Sequence, residues 1–166
     1  MKKINTKTLV TISALIAVAM ILSYIESLIP AFTTIPGIKM GLSNIATVFA
    51  LYVLGWPYAI LVSVIRVILS TMMFGKITGL IYGLSGAALA LLAMILVKKT
   101  NRLSTVGVSV VGGVTHNIGQ IIAVCIVMGT SAIALNLVVL LITGTIAGVL
   151  IGVAAGILIE RIKKYV

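Results

Sequence analysis

The sequence contains no aspartate, and its acidic residues are limited to Glu26 and Glu160. Magnesium-dependent phosphate chemistry and paired-carboxylate hydrolysis both require clustered acidic groups, so neither is expected here. The single cysteine, Cys125, forms no intrachain disulfide, and no cysteine or acid stands at ligand spacing from a histidine, so no metal site is expected. Phosphate-binding G-x-x-x-x-G-K-[ST] loops and G-x-S-x-G elbows are also missing. We therefore predict a protein that is not an enzyme and carries no cofactor.

Charge is scarce throughout the chain. Only 8% of the 166 residues are charged and 61% are apolar, whereas soluble domains have about 25% charged and about 45–50% apolar residues. The mean hydropathy is +1.34. These values predict an integral membrane protein, and the length favours one domain covering residues 1–166.

Six apolar segments predict six transmembrane helices in an all-α bundle. Crossing a hydrocarbon core of about 30 Å takes about 20 helical residues. The second segment spans roughly 21 Å at 1.5 Å per residue, so a loop or a cavity is expected to cover the remaining depth. The predicted spans are 9–29, 41–54, 58–74, 77–97, 106–128 and 133–159.

Twelve lysines and arginines give a formal net charge of +10. In a soluble protein this excess would suggest nucleic acid as a partner, but here the basic residues lie mostly between apolar segments. Nine fall on one side of the predicted bundle, and the positive-inside rule places that side, with both termini, in the cytoplasm. The location predicted is the bacterial cytoplasmic membrane. The nine are Lys2, Lys3, Lys7, Lys98, Lys99, Arg102, Arg161, Lys163 and Lys164.

Polar side chains inside or at the mouth of the spans are the candidate substrate-binding residues, because lipid makes such groups costly. The predicted topology places all of them in the outer half of the bundle, where bases outnumber acids. This surplus predicts a small anionic ligand, such as a phosphate, diphosphate or carboxylate. The candidates are Glu26, Lys39, Asn44, Arg66, Lys76, His116, Asn117 and Gln120.

Structural interpretations of the same residues stay open. Arg66 is equally compatible with an ion pair to Glu26, and the two lysines with snorkelling to the interface. His116 and Gln120, four residues apart, share one helix face, while Asn117 lies about 100° away from His116. A buried histidine alone is more often a packing residue than a ligand-binding one.

Small residues at four-residue spacing predict close helix crossings. The sixth span carries a row of glycines, and the first span carries Ser13 and Ala17. Either row suits packing inside the chain or docking of another protein, whereas Gly79 and Gly83 in the fourth span are interpreted as internal packing. The glycine row consists of Gly144, Gly148, Gly152 and Gly156.

Two stretches, PGIKMGLSNIATVFALYVLG (36–55) and GVTHNIGQII (113–122), resemble the Gx transporter family, often labelled heptaprenyl diphosphate synthase component I. That family is similar to the substrate-binding S components of energy-coupling factor (ECF) transporters. The resemblance implies a six-helix S-component fold, with a ligand site under the loop between spans one and two. It also implies docking to a transmembrane coupling subunit and two ATPases. S components dock through an A-x-x-x-A patch, for which the nearest match is Ser13-x-x-x-Ala17.

Two functions are consistent with these features. The leading hypothesis is the binding subunit of an ECF-type uptake transporter for a vitamin-like, isoprenoid-precursor or quinone-precursor metabolite. The alternative is a non-catalytic membrane subunit of prenyl diphosphate or quinone biosynthesis, or of a flavin or quinone electron-transfer system. The synthase label conflicts with the chemistry of the chain, since prenyl-chain elongation needs aspartate-rich magnesium sites.

Overall fold

The computed structural model describes residues 5–28, 41–75, 77–130 and 137–163. In this part of the chain there are six α-helices, with the following bounds: α1 Thr6–Leu28, α2 Asn44–Val53, α3 Trp56–Phe74, α4 Ile77–Lys99, α5 Thr105–Met128 and α6 Leu137–Lys163. The all-helical prediction is confirmed over these ranges. Lys2, Lys3, Lys39, Lys76, Lys164 and residues 133–136 of the predicted sixth span lie outside the described residues.

Five of the helices are long and apolar enough to cross a membrane, whereas α2 has only 10 residues. A helix of that length covers about 15 Å, roughly half of a hydrocarbon core. The prediction of six full spans is therefore confirmed only for five of the described helices. The expectation that the second segment is short is confirmed.

Local sequence signals account for several helix ends. Pro57 occupies the first turn of α3, where its missing N–H would have no helical partner. The Ser104 side chain accepts a hydrogen bond from the Gly107 N–H and caps α5. At the other end of α5, Gly129 adopts a left-handed conformation with φ of 64°, which glycine adopts without strain.

The helices pack side by side in the order α6, α5, α4, α3 and α1, and α2 lies between α6, α3 and α1. Helix α5 packs between α4 and α6, α3 packs against α1, α2 and α4, and α2 also contacts α1 and α6. Six consecutive residues of α2, from Ala46 to Leu51, are buried, so this helix is surrounded on every side. It therefore fills the interior of one half of the bundle.

Contacts at both ends of α2 fix its depth. At its C-terminal end the Lys98 ammonium, in the last turn of α4, donates to the Leu51 carbonyl over 2.6 Å and lies 4.5 Å from the centroid of the Tyr52 ring. At its N-terminal end Ser43 and Asn44 contact Arg66, near the middle of α3. The half of the interior beyond this N-terminus is consequently not filled by α2.

Candidate functional site

A cavity of about 60 Å³, with charged and polar side chains in its lining, lies beyond the N-terminus of α2. Four other helices supply its walls: the end of α1, the second half of α3, the beginning of α4 and the middle of α5. Its lining consists of Ser23, Glu26, Gly41, Ser43, Arg66, Val67, Ser70, Thr71, Gly75, Gly79, Gly83, His116 and Gln120. The cavity thus lies at the end of the short second helix, and it is one of the two features, a loop or a cavity, that the sequence predicted there.

Arg66 is the cationic centre of this cavity and is only 5% exposed. Its guanidinium donates to Thr47 Oγ1 over 3.1 Å, to Ser43 Oγ over 2.7 Å and to Asn44 Oδ1. All three acceptors are neutral and belong to the first turns of α2 or the residue before it. A guanidinium has five N–H donors, so two remain beyond these three bonds.

Glu26 is the acidic residue of the cavity and is also buried. Its Oε1 accepts a hydrogen bond from the Gly41 N–H, and its charge attracts Arg66 electrostatically. Gly41 has a φ of +83°, a conformation in which glycine is favoured. The carboxylate therefore anchors the turn that leads into α2.

His116 and Gln120 enter the cavity from one face of α5. A close crossing with α4 places them there: a Cβ on Gly86 would lie 2.8 Å from Gln120 Cγ, and a Cβ on Gly119 would lie 2.8 Å from the Ser85 carbonyl oxygen. Both side chains are buried, at 8% and 3% exposure. Their Nδ1 and Oε1 atoms have no hydrogen-bond partner among the described residues.

Buried polar atoms without partners are uncommon in folded proteins, and each calls for an explanation. Both atoms belong to side chains that line a cavity with charged groups in its wall. A bound polar group could supply the missing hydrogen-bond partners. The volume of the cavity is small, however, compared with the roughly 300–1,000 Å³ of pockets that enclose whole small molecules.

A comparison with protein-family models matches residues 15–158 to the family described as heptaprenyl diphosphate synthase component I. The chain belongs to this family. The matched region contains the whole of the lining described above. No curated protein and no solved structure matches the chain.

The cavity of this family member brings together four of the predicted binding residues, namely Glu26, Arg66, His116 and Gln120. Asn44 does not line it but holds Arg66 from the side of α2. Because Lys39 and Lys76 lie outside the described residues, the described charges in the cavity are one arginine and one glutamate. The predicted positive surplus remains a prediction.

Asn117, a member of the predicted binding set, is not among the residues that line the cavity. Its side-chain N–H donates to the Leu140 carbonyl of α6. The 100° turn between neighbouring helical residues separates it from His116. Asn117 therefore joins α5 to α6, and its part in ligand binding stays a prediction.

The candidate docking residues divide into two groups. Ser13 and Ala17 are exposed on α1, which agrees with either lipid contact or docking. In α6, by contrast, a Cβ on Gly148 or Gly152 would lie 2.6 Å from a backbone Cα of α5, and one on Gly144 would lie 2.6 Å from Asn117 Nδ2. These three glycines serve packing within the chain, so of the row only Gly156, with open space around its Cβ position, stays available for docking.

Sequence reasoning missed several residues of the site. Ser43 and Thr47 bind Arg66, but serine and threonine in spans often bond to their own helix and so give no signal. Gly79 and Gly83 were expected to serve packing, yet they line the cavity. Their four-residue spacing predicted internal packing, but spacing alone does not show whether a helix or a cavity lies opposite the glycines.

Proposed function

We propose that this protein is a non-catalytic membrane subunit that binds the anionic head group of a small metabolite in the cavity around Arg66. One observation carries the proposal. A buried arginine forms its hydrogen bonds with neutral oxygens of α2 and faces a cavity in which two further side chains have atoms without partners. Such a guanidinium keeps its charge and two donors for a carboxylate or a phosphate.

The size of the cavity indicates which part of the metabolite it receives. A water molecule needs about 10–15 Å³ of cavity volume. A cavity of about 60 Å³ therefore accommodates a few waters or one small oxyanion. A complete vitamin or isoprenoid is larger than this. The described residues therefore suit a head group, with the rest of the metabolite outside them.

Uptake is the activity that we propose for this binding, in an S-component-like arrangement with a transmembrane coupling subunit and ATPases. The cavity lies at the end of the bundle opposite the Lys98 and Arg102 connection, so the positive-inside rule favours an exterior opening and cytoplasmic termini. A reporter fused to the C-terminus should be active in the cytoplasm. Activity of a periplasmic or extracellular reporter at that position would contradict the orientation.

Native mass spectrometry of protein purified in a mild detergent tests the binding. The wild-type protein should retain a small molecule that bears a phosphate or a carboxylate. Arg66→Gln should lose it, whereas the matched control Arg102→Gln, which removes an exposed arginine from the α4–α5 connection, should retain it. Equal retention in both variants, or no retained molecule in any sample, would contradict the proposal.

Family membership favours a second candidate, an accessory subunit in heptaprenyl diphosphate synthesis. A diphosphate head group suits the same arginine. The partners that co-purify distinguish the two: uptake requires a coupling subunit with ATPases, and the accessory role requires a soluble prenyl synthase. Whichever assembly forms with wild-type protein identifies the role, and the cavity is expected to bind ligand in either case.

A further inference from the structure

Two side chains that line the cavity each have one atom without a hydrogen-bond partner among the described residues. Gln120 Oε1 is a carbonyl oxygen. The His116 ring packs against Gly86, where a Cβ would lie 3.0 Å from His116 Cε1, and its Nδ1 has no partner among the described residues. In the neutral tautomer that carries its proton on Nε2, Nδ1 has a lone pair and accepts a hydrogen bond.

A ligand must therefore satisfy two opposite demands. The Arg66 guanidinium requires an acceptor, whereas Gln120 Oε1 requires a donor, as does His116 Nδ1 in this tautomer. A fully deprotonated oxyanion accepts hydrogen bonds from Arg66 but has no proton to donate to Gln120 or His116. The buried acceptors then stay unsatisfied.

We propose that the cavity selects a phosphoryl head group that retains a P–OH proton. Two of its oxygens accept hydrogen bonds from Arg66, and its hydroxyl donates to Gln120 Oε1 or His116 Nδ1. The inference rests on the proposed anion-binding function and names its ligand class, a phosphate ester or the terminal phosphate of a diphosphate. No covalent step is involved.

The dimensions agree with this class. The cavity of about 60 Å³ holds a few heavy atoms, which is the scale of one tetrahedral oxyanion. The acceptors and the donor are on different walls, since Gln120 and His116 belong to α5 and Arg66 to α3. A tetrahedral group directs its oxygens toward several walls at once, whereas a planar carboxylate does not.

Inorganic phosphate and sulfate provide the test, because they have the same shape and differ in the proton. Near neutral pH sulfate has no proton to donate, whereas phosphate retains at least one. Isothermal titration of wild-type protein in mild detergent, first freed of co-purified ligand, should give a dissociation constant for phosphate at least about tenfold lower than that for sulfate. This is the size of effect expected when a buried acceptor is left unsatisfied.

Gln120→Met identifies the acceptor, since methionine has a similar length and no carbonyl oxygen. The variant should bind phosphate more weakly and sulfate as before, so that the preference falls. Arg102→Gln is the control and should keep the wild-type preference. If Gln120→Met does not fold, His116→Leu removes the other candidate acceptor and should lower the preference in the same way.

The outcomes separate this inference from the proposed function. Equal affinity for phosphate and sulfate in wild-type protein, with loss of both in Arg66→Gln, would overturn the selectivity and leave anion binding intact. An unchanged preference in Gln120→Met and in His116→Leu would likewise overturn it. Binding of neither ion would overturn the inference, while the molecule retained in native mass spectrometry would decide the proposed function separately.

Discussion

The two faces of α5 both meet small and polar residues, but one face packs tightly against α6 and the other borders the cavity. Toward α6, Gly144, Gly148 and Gly152 bring the backbones into contact, and Asn117 has its hydrogen-bond partner. On the cavity side, a Cβ on Gly79 of α4 would have its nearest neighbour 3.9 Å away, and His116 and Gln120 have atoms without partners among the described residues. Small residues thus close the α5–α6 seam, whereas Gly79 leaves room at the cavity. What lies across from a glycine decides which effect it has.

The same contrast separates stability from binding. At the α5–α6 seam each polar or small residue already has its contact within the chain, so a substitution there should affect folding. Around the cavity the polar groups are held in place but have hydrogen bonds left to form, so a substitution there should affect ligand affinity. The following variants test this division, from the largest expected effect to the smallest.

Arg66→Gln should weaken ligand binding strongly while the bundle remains folded. Losing one charged partner of a buried hydrogen-bonded pair costs about 2 kcal/mol or more, which is about thirtyfold in affinity. Titration of the co-purified ligand, once identified, measures the loss, and thermal unfolding measures the fold. Arg102→Gln serves as the charge-matched control. Normal binding by Arg66→Gln, or unfolding before binding can be measured, would contradict the claim that cavity residues serve binding rather than folding.

Gly148→Ala should lower the free energy of unfolding by about 1–3 kcal/mol, the usual cost of overpacking. Its Cβ would lie 2.6 Å from Val110 Cα and 3.0 Å from the Ser109 carbonyl oxygen, so backbone atoms must move. Equilibrium unfolding in mixed micelles checks this. Gly156→Ala has open space at its Cβ position and should be neutral or slightly stabilising. Equal effects in the two variants would mean that α6 does not use its glycines in the way described.

Asn117→Ala should lower the free energy of unfolding by about 0.6 kcal/mol, and by no more than about 1.7 kcal/mol, the range measured for hydrogen bonds between membrane helices. The lost bond is the one to the Leu140 carbonyl. Ligand affinity should remain unchanged. Thr145→Ala, which removes an exposed hydroxyl that bonds within its own helix, is the control. A drop in affinity for Asn117→Ala would support its predicted part in binding.

Gly79→Ala should reduce ligand affinity by about fivefold, or about 1 kcal/mol, without destabilising the protein. A Cβ there would lie 3.9 Å from Thr71 Cγ2, an ordinary contact, so the methyl group fits and takes space from the cavity. Titration and unfolding of the same preparation separate the two effects. Gly156→Ala again controls for the change in helix propensity. Unaltered affinity would place the head group deeper, toward Arg66.

The sequence predicted much of the site because ionisable and amide side chains are expensive in lipid. Glu26, Arg66, His116 and Gln120 stood out for that reason, and the structure brings them together. Ser43 and Thr47 did not stand out, since hydroxyls cost little and find partners in their own helix. Asn117 was assigned to the ligand because its neighbours were, although one helical step turns it toward α6. Its acceptor there lies beside Gly144, close enough only because that residue has no side chain.

The amino-acid sequence by itself determined a helical membrane protein, the approximate extent of its helices and the short length of the second one, because apolar content and helical rise act locally. Only the tertiary structure decided that α2 fills the interior of one half of the bundle and that a cavity lies beyond its N-terminus. It also decided which glycines close a seam and which leave room. These outcomes depend on what stands opposite each residue, and that is set by the packing of helices distant in sequence.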